Sequence, residues 1–206
     1  MNDSLAHALR TMPGETPKQA AAAARRLTER IVAERLADID YAPVESPFGT
    51  LHAASTRRGL VRLAFPEEPL DEFLERLARK LSPRIVAAPA ALDPVQRELD
   101  EYFSGRRRTF DLALDWALIT PFARRVLSNT AAIPYGGHLS YAEVAAEAGS
   151  PRGARAAGNA LGSNPIPIVI PCHRVLHSGG GLGGYGGGLD RKQYLLELEG
   201  ALPPRL

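Results

Sequence analysis

The sequence predicts an α/β N-terminal domain with a small, mostly antiparallel sheet, followed by a mostly α-helical C-terminal domain that contains a helix-turn-helix. Three observations carry this. Two runs of strand-like residues, "VESPFGTLHAAST" and "GLVRLAF", meet at Arg57-Arg58-Gly59, as in a hairpin. Stretches with helical apolar spacing follow that hairpin. From Thr120 onward, helix-starting and helix-stopping residues succeed one another with little strand pattern between them.

The elements are read in chain order. Thr16-Pro17-Lys18-Gln19 has the form of a capping box with proline at the first helical position. The helix it opens is expected to run to about residue 36, with Leu27, Ile31, Val32 and Leu36 giving a ragged apolar stripe. After the hairpin, Leu70, Phe73, Leu74, Leu77 and Leu81 fall on one helical face, and Ser82-Pro83 ends that helix. "RIVAA" is a short strand candidate. Asp93-Pro94 is expected to start the next helix, with Val95, Leu99, Tyr102 and Phe103 on one face and Gly105 at its end. "TFDLALD" alternates and reads as a strand. Thr120 caps and Pro121 opens a helix carrying Phe122, Val126, Thr130 and Ile133, which ends at Pro134. Ser140-Tyr141-Ala142-Glu143 is a second capping box, and Gly149 stops the helix behind it. Ser150-Pro151 is expected to open a further helix that runs to Gly162. Two short helices around a tight turn make the helix-turn-helix candidate. A last helix, from Asp190 to Gly200, turns Leu195, Leu196 and Leu198 inward. These elements divide the chain into a helical extension over 1–40, the α/β domain over 41–115 and the helical domain over 116–206.

Composition bounds the function. A chain of 206 residues buries a real core. No apolar run reaches the roughly 18 residues of a membrane span, and the first thirty residues lack a signal-peptide pattern. The single cysteine excludes an internal disulfide and a multi-cysteine zinc site, which points to the cytoplasm. Net charge is +2, and Arg124, Arg125, Arg152, Arg155 and Arg174 weight the basic excess toward the second half. A polyanionic partner and an ordinary solvated face both account for that.

The helix "PRGARAAGNALG" is almost free of large side chains. Small residues let a backbone approach another surface closely, either a neighbouring helix or a nucleic-acid groove. Downstream lies "NPIPIVIPCHRVLHSGGGLGGYGGG", with the lone Cys172 between Pro171 and His173. An isolated cysteine is usually a small buried hydrophobe. Here prolines fix the backbone, His173 offers a base, and the glycine loop lets backbone N–H groups approach a ligand. Neighbours in an extended chain point to opposite faces, so His173 is expected to reach the sulfur through a water. Beside such a base the sulfur is expected to be held ionised. Gly179, Gly181 and Gly184 match G-x-G-x-x-G, but the match is empty in so glycine-rich a stretch without a βαβ unit. The spacing of Cys172, His173 and His177 favours no metal, and no cofactor is expected.

"NPIPIVIPCHRV", with "IPYGGHLSYAEVAAEAG" upstream and "GYGGGLDRKQYLLELEG" downstream, resembles the O6-alkylguanine-DNA alkyltransferase family. The resemblance covers at least residues 44–200. It implies DNA repair in which an alkyl group moves from O6 of guanine irreversibly to the protein's own cysteine, once per molecule. By resemblance Cys172 is the nucleophile, His173 deprotonates it through a water, Glu199 orients His173, and Tyr141 hydrogen-bonds the base and helps protonate it. Arg155 matches the arginine that fills the stack when the nucleotide is flipped out. Ala154, Ala156, Ala157 and Gly158 would press into the minor groove, and Arg124 and Arg125 would touch phosphates. Asn164 would brace the turn before the active-site strand. Tyr185 and the glycine loop would form the lid of the base pocket, with backbone groups of Val175 and Gly186 toward the base. Gly186 stands where some relatives carry serine. The implied partner is alkylated duplex DNA, bound by a monomer, with cooperative association along DNA left open.

The chain lacks the N-terminal Cys and His ligands of zinc-binding relatives and a cysteine-rich phosphotriester-sensing domain. Relatives that only sense alkylguanine replace the cysteine, which is present here. Two other classes stand as alternatives to repair: a non-catalytic DNA-binding module, and a thiol hydrolase with a Cys-His-Glu set.

Overall fold

The structure, a computed structural model, describes residues 16–34 and 36–203. Helix α1 spans Pro17–Ala33. Its capping box forms: the Gln19 side chain accepts from the Thr16 N–H at 2.9 Å, and Thr16 Oγ1 accepts from the Gln19 N–H at 3.3 Å. It ends short of residue 36, and Leu27 and Leu36 stay exposed.

The sheet runs in the order β3-β2-β1-β4, with β1 Ile39–Val44, β2 Leu51–Thr56, β3 Gly59–Ala64 and β4 Ile85–Ala87. β1–β2 and β2–β3 are antiparallel, while β4 lies parallel to β1. The hairpin at Arg57-Arg58-Gly59 is therefore present, but residues 44–56 are not one strand. Val44 ends β1, a turn at Ser46–Gly49 intervenes, and β2 begins only at Leu51. β1 escaped the sequence reading because Pro43 lies inside it. β4 pairs only with Ile39–Tyr41, so Pro43 sits where the strand has no neighbour on that side to want its missing N–H.

Helix α2, Leu70–Lys80, buries Phe73 and Leu77. Helix α3, Pro89–Phe103, begins four residues before the expected Asp93, with Pro89 in its first turn and Pro94 inside it. "TFDLALD" is not a strand. It runs irregularly beside β3, joined by a single bridge between Leu60 and Leu114.

Thr120 caps α4, Pro121–Ala131, accepting from the Ala123 N–H. A short β5, Leu139–Ser140, leads into α5, Tyr141–Glu147, whose capping box is complete. Helix α6 spans Ala154–Gly162, and Gly153, not Ser150, is its N-cap. Pro151 lies in the preceding turn. A 3₁₀ turn, Cys172–Arg174, passes into β6, Val175–Leu176, which pairs parallel to β5. Helix α7, Leu189–Leu198, closes the domain, with Leu195 and Leu196 fully buried and Leu198 packed at the core edge. One apolar cluster runs through both halves, from Leu51 and Leu99 to Val126, Ile166 and Leu195. The sheet domain is thereby packed directly against the elements that carry Cys172. No helix among the described residues is long and apolar enough to cross a membrane.

Candidate active site

The segment between α6 and β6 is held in a tight bend. Asn164 Oδ1 accepts from the Ile166 N–H at 3.0 Å, and its Nδ2 donates to the Ile170 carbonyl at 2.9 Å and to Cys172 Sγ at 3.1 Å. Ile168 has φ +74°, a left-handed conformation that a β-branched residue rarely takes. The bend persists because the Ile170 N–H bonds the Ile166 carbonyl at 2.9 Å and residues 165–174 are buried. Asn164 thus ties the two ends of the bend together and also touches the sulfur itself.

Cys172 opens the 3₁₀ turn instead of lying on a strand. Successive residues there diverge by about 120°. His173 accordingly turns away from the sulfur and toward the end of α7, and no direct Cys172–His173 side-chain hydrogen bond forms. The expected separation of the two groups holds, though for a different backbone reason.

Cys172 lies in the lining of an open cavity of about 590 Å³, together with Tyr141, Arg155, Gly158, Tyr185 and Gly186. That is a ligand-sized volume. The small-residue helix packs closely on a neighbouring helix. Ala157 is fully buried, and a Cβ at Gly158 would lie 3.7 Å from the Tyr141 ring, so α6 packs closely on α5. Arg155 and Ala156 are exposed, and Ala154 lines the cavity. The glycine loop covers the other side. A Cβ at Gly183 would stand 2.6 Å from the Tyr141 hydroxyl, and one at Gly187 would collide with the Phe65 ring. Glycine is needed there for close approach to aromatic rings. The Tyr141 hydroxyl donates to the Gly184 carbonyl at 3.2 Å.

Behind the cavity, Glu199 gathers four groups. His173 Nε2 is 3.0 Å from its Oε1, and Tyr102 donates to the same oxygen at 2.6 Å. Arg174 forks onto both oxygens at 2.8 Å, and the Gly136 N–H reaches Oε2 at 3.3 Å. Burial alone would raise the Glu199 carboxyl, but the hydrogen bonds from His173, Arg174 and Tyr102 hold it down at about 2. A carboxylate only accepts, so Nε2 carries the imidazole proton. Nδ1 is left as a bare acceptor, buried and without a partner among the described residues. Burial lowers His173 and keeps the ring neutral, ready to take a proton.

Burial pushes the Cys172 thiol up to about 11, against the pull of the Asn164 hydrogen bond and the Lys192 charge. The resting sulfur is therefore a neutral thiol at neutral pH, which corrects the expectation of a sulfur already ionised. A thiolate here must be made on demand. Lys192 is itself fully buried. Its Nζ donates to the Val175 carbonyl at 2.6 Å, and burial lowers it to about 8. Val175 is thus sealed beneath the site, its carbonyl already engaged, while Gly186 is at the cavity wall.

Arg124 and Arg125 do not share the cavity with Arg155. They line a separate groove with Trp116 and Glu147, and Arg125 Nε donates to the Ala148 carbonyl at the end of α5. Three residues of the site went unread in the sequence. Arg174 reads in the sequence only as part of the basic excess of the second half. Lys192 looked like any helical lysine, and Tyr102 like a core aromatic. Each acquires its role from burial beside a partner distant in the chain.

Two family models match adjacent parts of the chain. Residues 121–201 match the family model described as the 6-O-methylguanine DNA methyltransferase DNA binding domain, and residues 39–116 match its ribonuclease-like domain. The methylated-DNA–protein-cysteine methyltransferase of Mycolicibacterium paratuberculosis is 42% identical over 161 residues, covering 78% of this chain and 92% of that protein. The inducible enzyme of that name from Bacillus subtilis is 38% identical over 150 residues, covering 72% and 83%. The crystal structure of Mycobacterium tuberculosis OGT in complex with DNA superposes with a TM-score of 0.67 at 38% identity, covering 78% of this chain and 92% of that one. With both domains matched and relatives aligned over nearly their whole length, the chain belongs to the 6-O-methylguanine DNA methyltransferase family.

Proposed function

We propose that this protein repairs O6-alkylguanine in duplex DNA by moving the alkyl group to Cys172 Sγ, once per molecule. The observation that carries the reading is the placement of a lone thiol in an open cavity beside a neutral His173 whose other nitrogen is held by Glu199. A water between His173 Nδ1 and Sγ passes the thiol proton to the imidazole, and Glu199 stabilises the imidazolium that forms. The thiolate attacks the alkyl carbon in line. The S–C bond forms, the C–O6 bond breaks, and its electron pair goes to the guanine, which takes up one proton. Tyr141, at the cavity wall, hydrogen-bonds the base and assists that protonation. The products are S-alkylcysteine and unmodified guanine.

The target atom lies inside the duplex, so the nucleotide is extruded into the cavity. Exposed Arg155, on a helix otherwise free of bulk, fills the gap in the stack, while Ala154, Ala156 and Gly158 face the minor groove. Arg124 and Arg125 contribute phosphate contacts outside the cavity. The protein acts as a monomer in the cytoplasm.

The test is incubation with an oligonucleotide carrying labelled O6-benzylguanine. One label per chain on Cys172, lost in Cys172→Ala, is expected. Turnover beyond one equivalent would indicate a hydrolase, and DNA binding with no mass increase would indicate a non-catalytic module.

A further inference from the structure

The Glu199 cluster contains a group from the other domain. Tyr102 lies on α3, in the sheet domain, 97 residues away in sequence, and is fully buried. Its ring packs on Phe103, Phe110 and Tyr135. Packing alone would be served as well by phenylalanine, yet the hydroxyl ends 2.6 Å from Glu199 Oε1, the oxygen that also receives His173 Nε2. Three donors, Tyr102, His173 and Arg174, therefore compete for one carboxylate oxygen.

We propose that Tyr102 is a positioning residue for alkyl transfer, through which the N-terminal domain sets how strongly Glu199 supports His173 as a base. The inference rests on the relay described under Proposed function. A hydroxyl donating to a carboxylate withdraws part of its negative charge. With that donor in place, Glu199 holds the imidazolium less tightly and His173 stays neutral to lower pH. The charged and titratable groups that face the pair are Arg174, Lys192 and Tyr185 toward His173, and Arg174 and Tyr135 toward Tyr102. All but Tyr102 remain unchanged in Tyr102→Phe. That substitution keeps the ring and leaves Glu199 Oε1 with two donors.

The experiment is the pH dependence of single-turnover transfer from O6-benzylguanine in the full-length protein, for wild type, Tyr102→Phe and His173→Ala. In Tyr102→Phe the acid limb of the rate is expected to move up by about half a pH unit, so that transfer below it slows by about threefold. The final extent stays at one label per chain. An acid limb superimposed on wild type, alongside a slow His173→Ala, would overturn this proposal and leave the relay standing. So would a lowered melting temperature with an unmoved limb, which is what a purely structural hydroxyl would give. A His173→Ala protein as fast as wild type at every pH would overturn the relay, and this inference with it.

Discussion

Asn164 Nδ2 donates to Cys172 Sγ at 3.1 Å and to the Ile170 carbonyl at 2.9 Å, so one side chain fixes both the backbone of the nucleophile and the electrostatics of its sulfur. A donor aimed at sulfur favours the thiolate over the thiol. Asn164→Ala removes it and leaves burial less opposed, so the thiol rises above about 11. Transfer to Cys172 is expected to slow by about tenfold, the factor that one pKa unit represents. Single-turnover kinetics measure the loss. Thermal unfolding checks the second expectation, a cost of about 1–3 kcal/mol for leaving the buried Ile166 N–H without its Asn164 Oδ1 partner.

Lys192 is expected to act on the same sulfur by charge alone. Its ammonium favours the thiolate, but burial lowers it to about 8, so that charge fades as the pH passes through 8 toward 10. The rate of Cys172 alkylation by iodoacetamide should therefore climb less than tenfold per pH unit above about 8 in the wild-type protein. In Lys192→Met the climb should be a full tenfold per unit throughout, from a lower rate at pH 7. Parallel curves for the two proteins would show that Lys192 does not reach the sulfur.

Arg155 is exposed on the rim while Cys172 is at the cavity wall, so under the proposed extrusion the two would act in separate steps. Arg155→Ala should slow transfer from duplex DNA by at least about tenfold, a loss in the range of a few kcal/mol paid for unstacking. Reaction with free O6-benzylguanine should change by less than twofold. Parallel assays on the two substrates decide it, and equal losses would count against extrusion assisted by Arg155.

The sequence showed best what repeats locally. Capping boxes at Thr16 and Ser140, the Thr120-Pro121 start and the α2 stripe each depend on residues three or four apart, and all are present. β1 was lost because a proline inside a strand reads as a break unless its neighbours are known. "TFDLALD" was misread because alternation shows which side is buried, not whether a ladder partner lies alongside. The cysteine and its histidine were legible from composition and motif, and the Glu199 contact followed from resemblance. The network that sets their chemistry was not legible. Tyr102, Arg174 and Lys192 meet Glu199 and Val175 across 97, 25 and 17 residues, and no local pattern encodes such meetings.

Reaction changes the packing around the sulfur. Cys172 is 6% exposed, with Asn164 against its sulfur and buried Leu161 and half-buried Tyr185 beside it in the cavity lining. An alkyl group fixed to Sγ replaces a thiol proton by carbon where a hydrogen-bond donor already sits. The adduct either pushes Asn164 from its bond or forces α6 outward from the bend it braces. Overpacking of this kind costs about 1–3 kcal/mol, and at about 2–4 °C per kcal/mol for a chain of this size the melting temperature should fall by several degrees. A benzyl adduct should lower it more than a methyl adduct, since the larger group must also displace the lid at Tyr185. Differential scanning fluorimetry on unreacted, methylated and benzylated protein measures the series. A melting temperature that rises on full alkylation would mean that the cavity takes the adduct as a filling group, and that α6 is not driven outward by the repair it has performed.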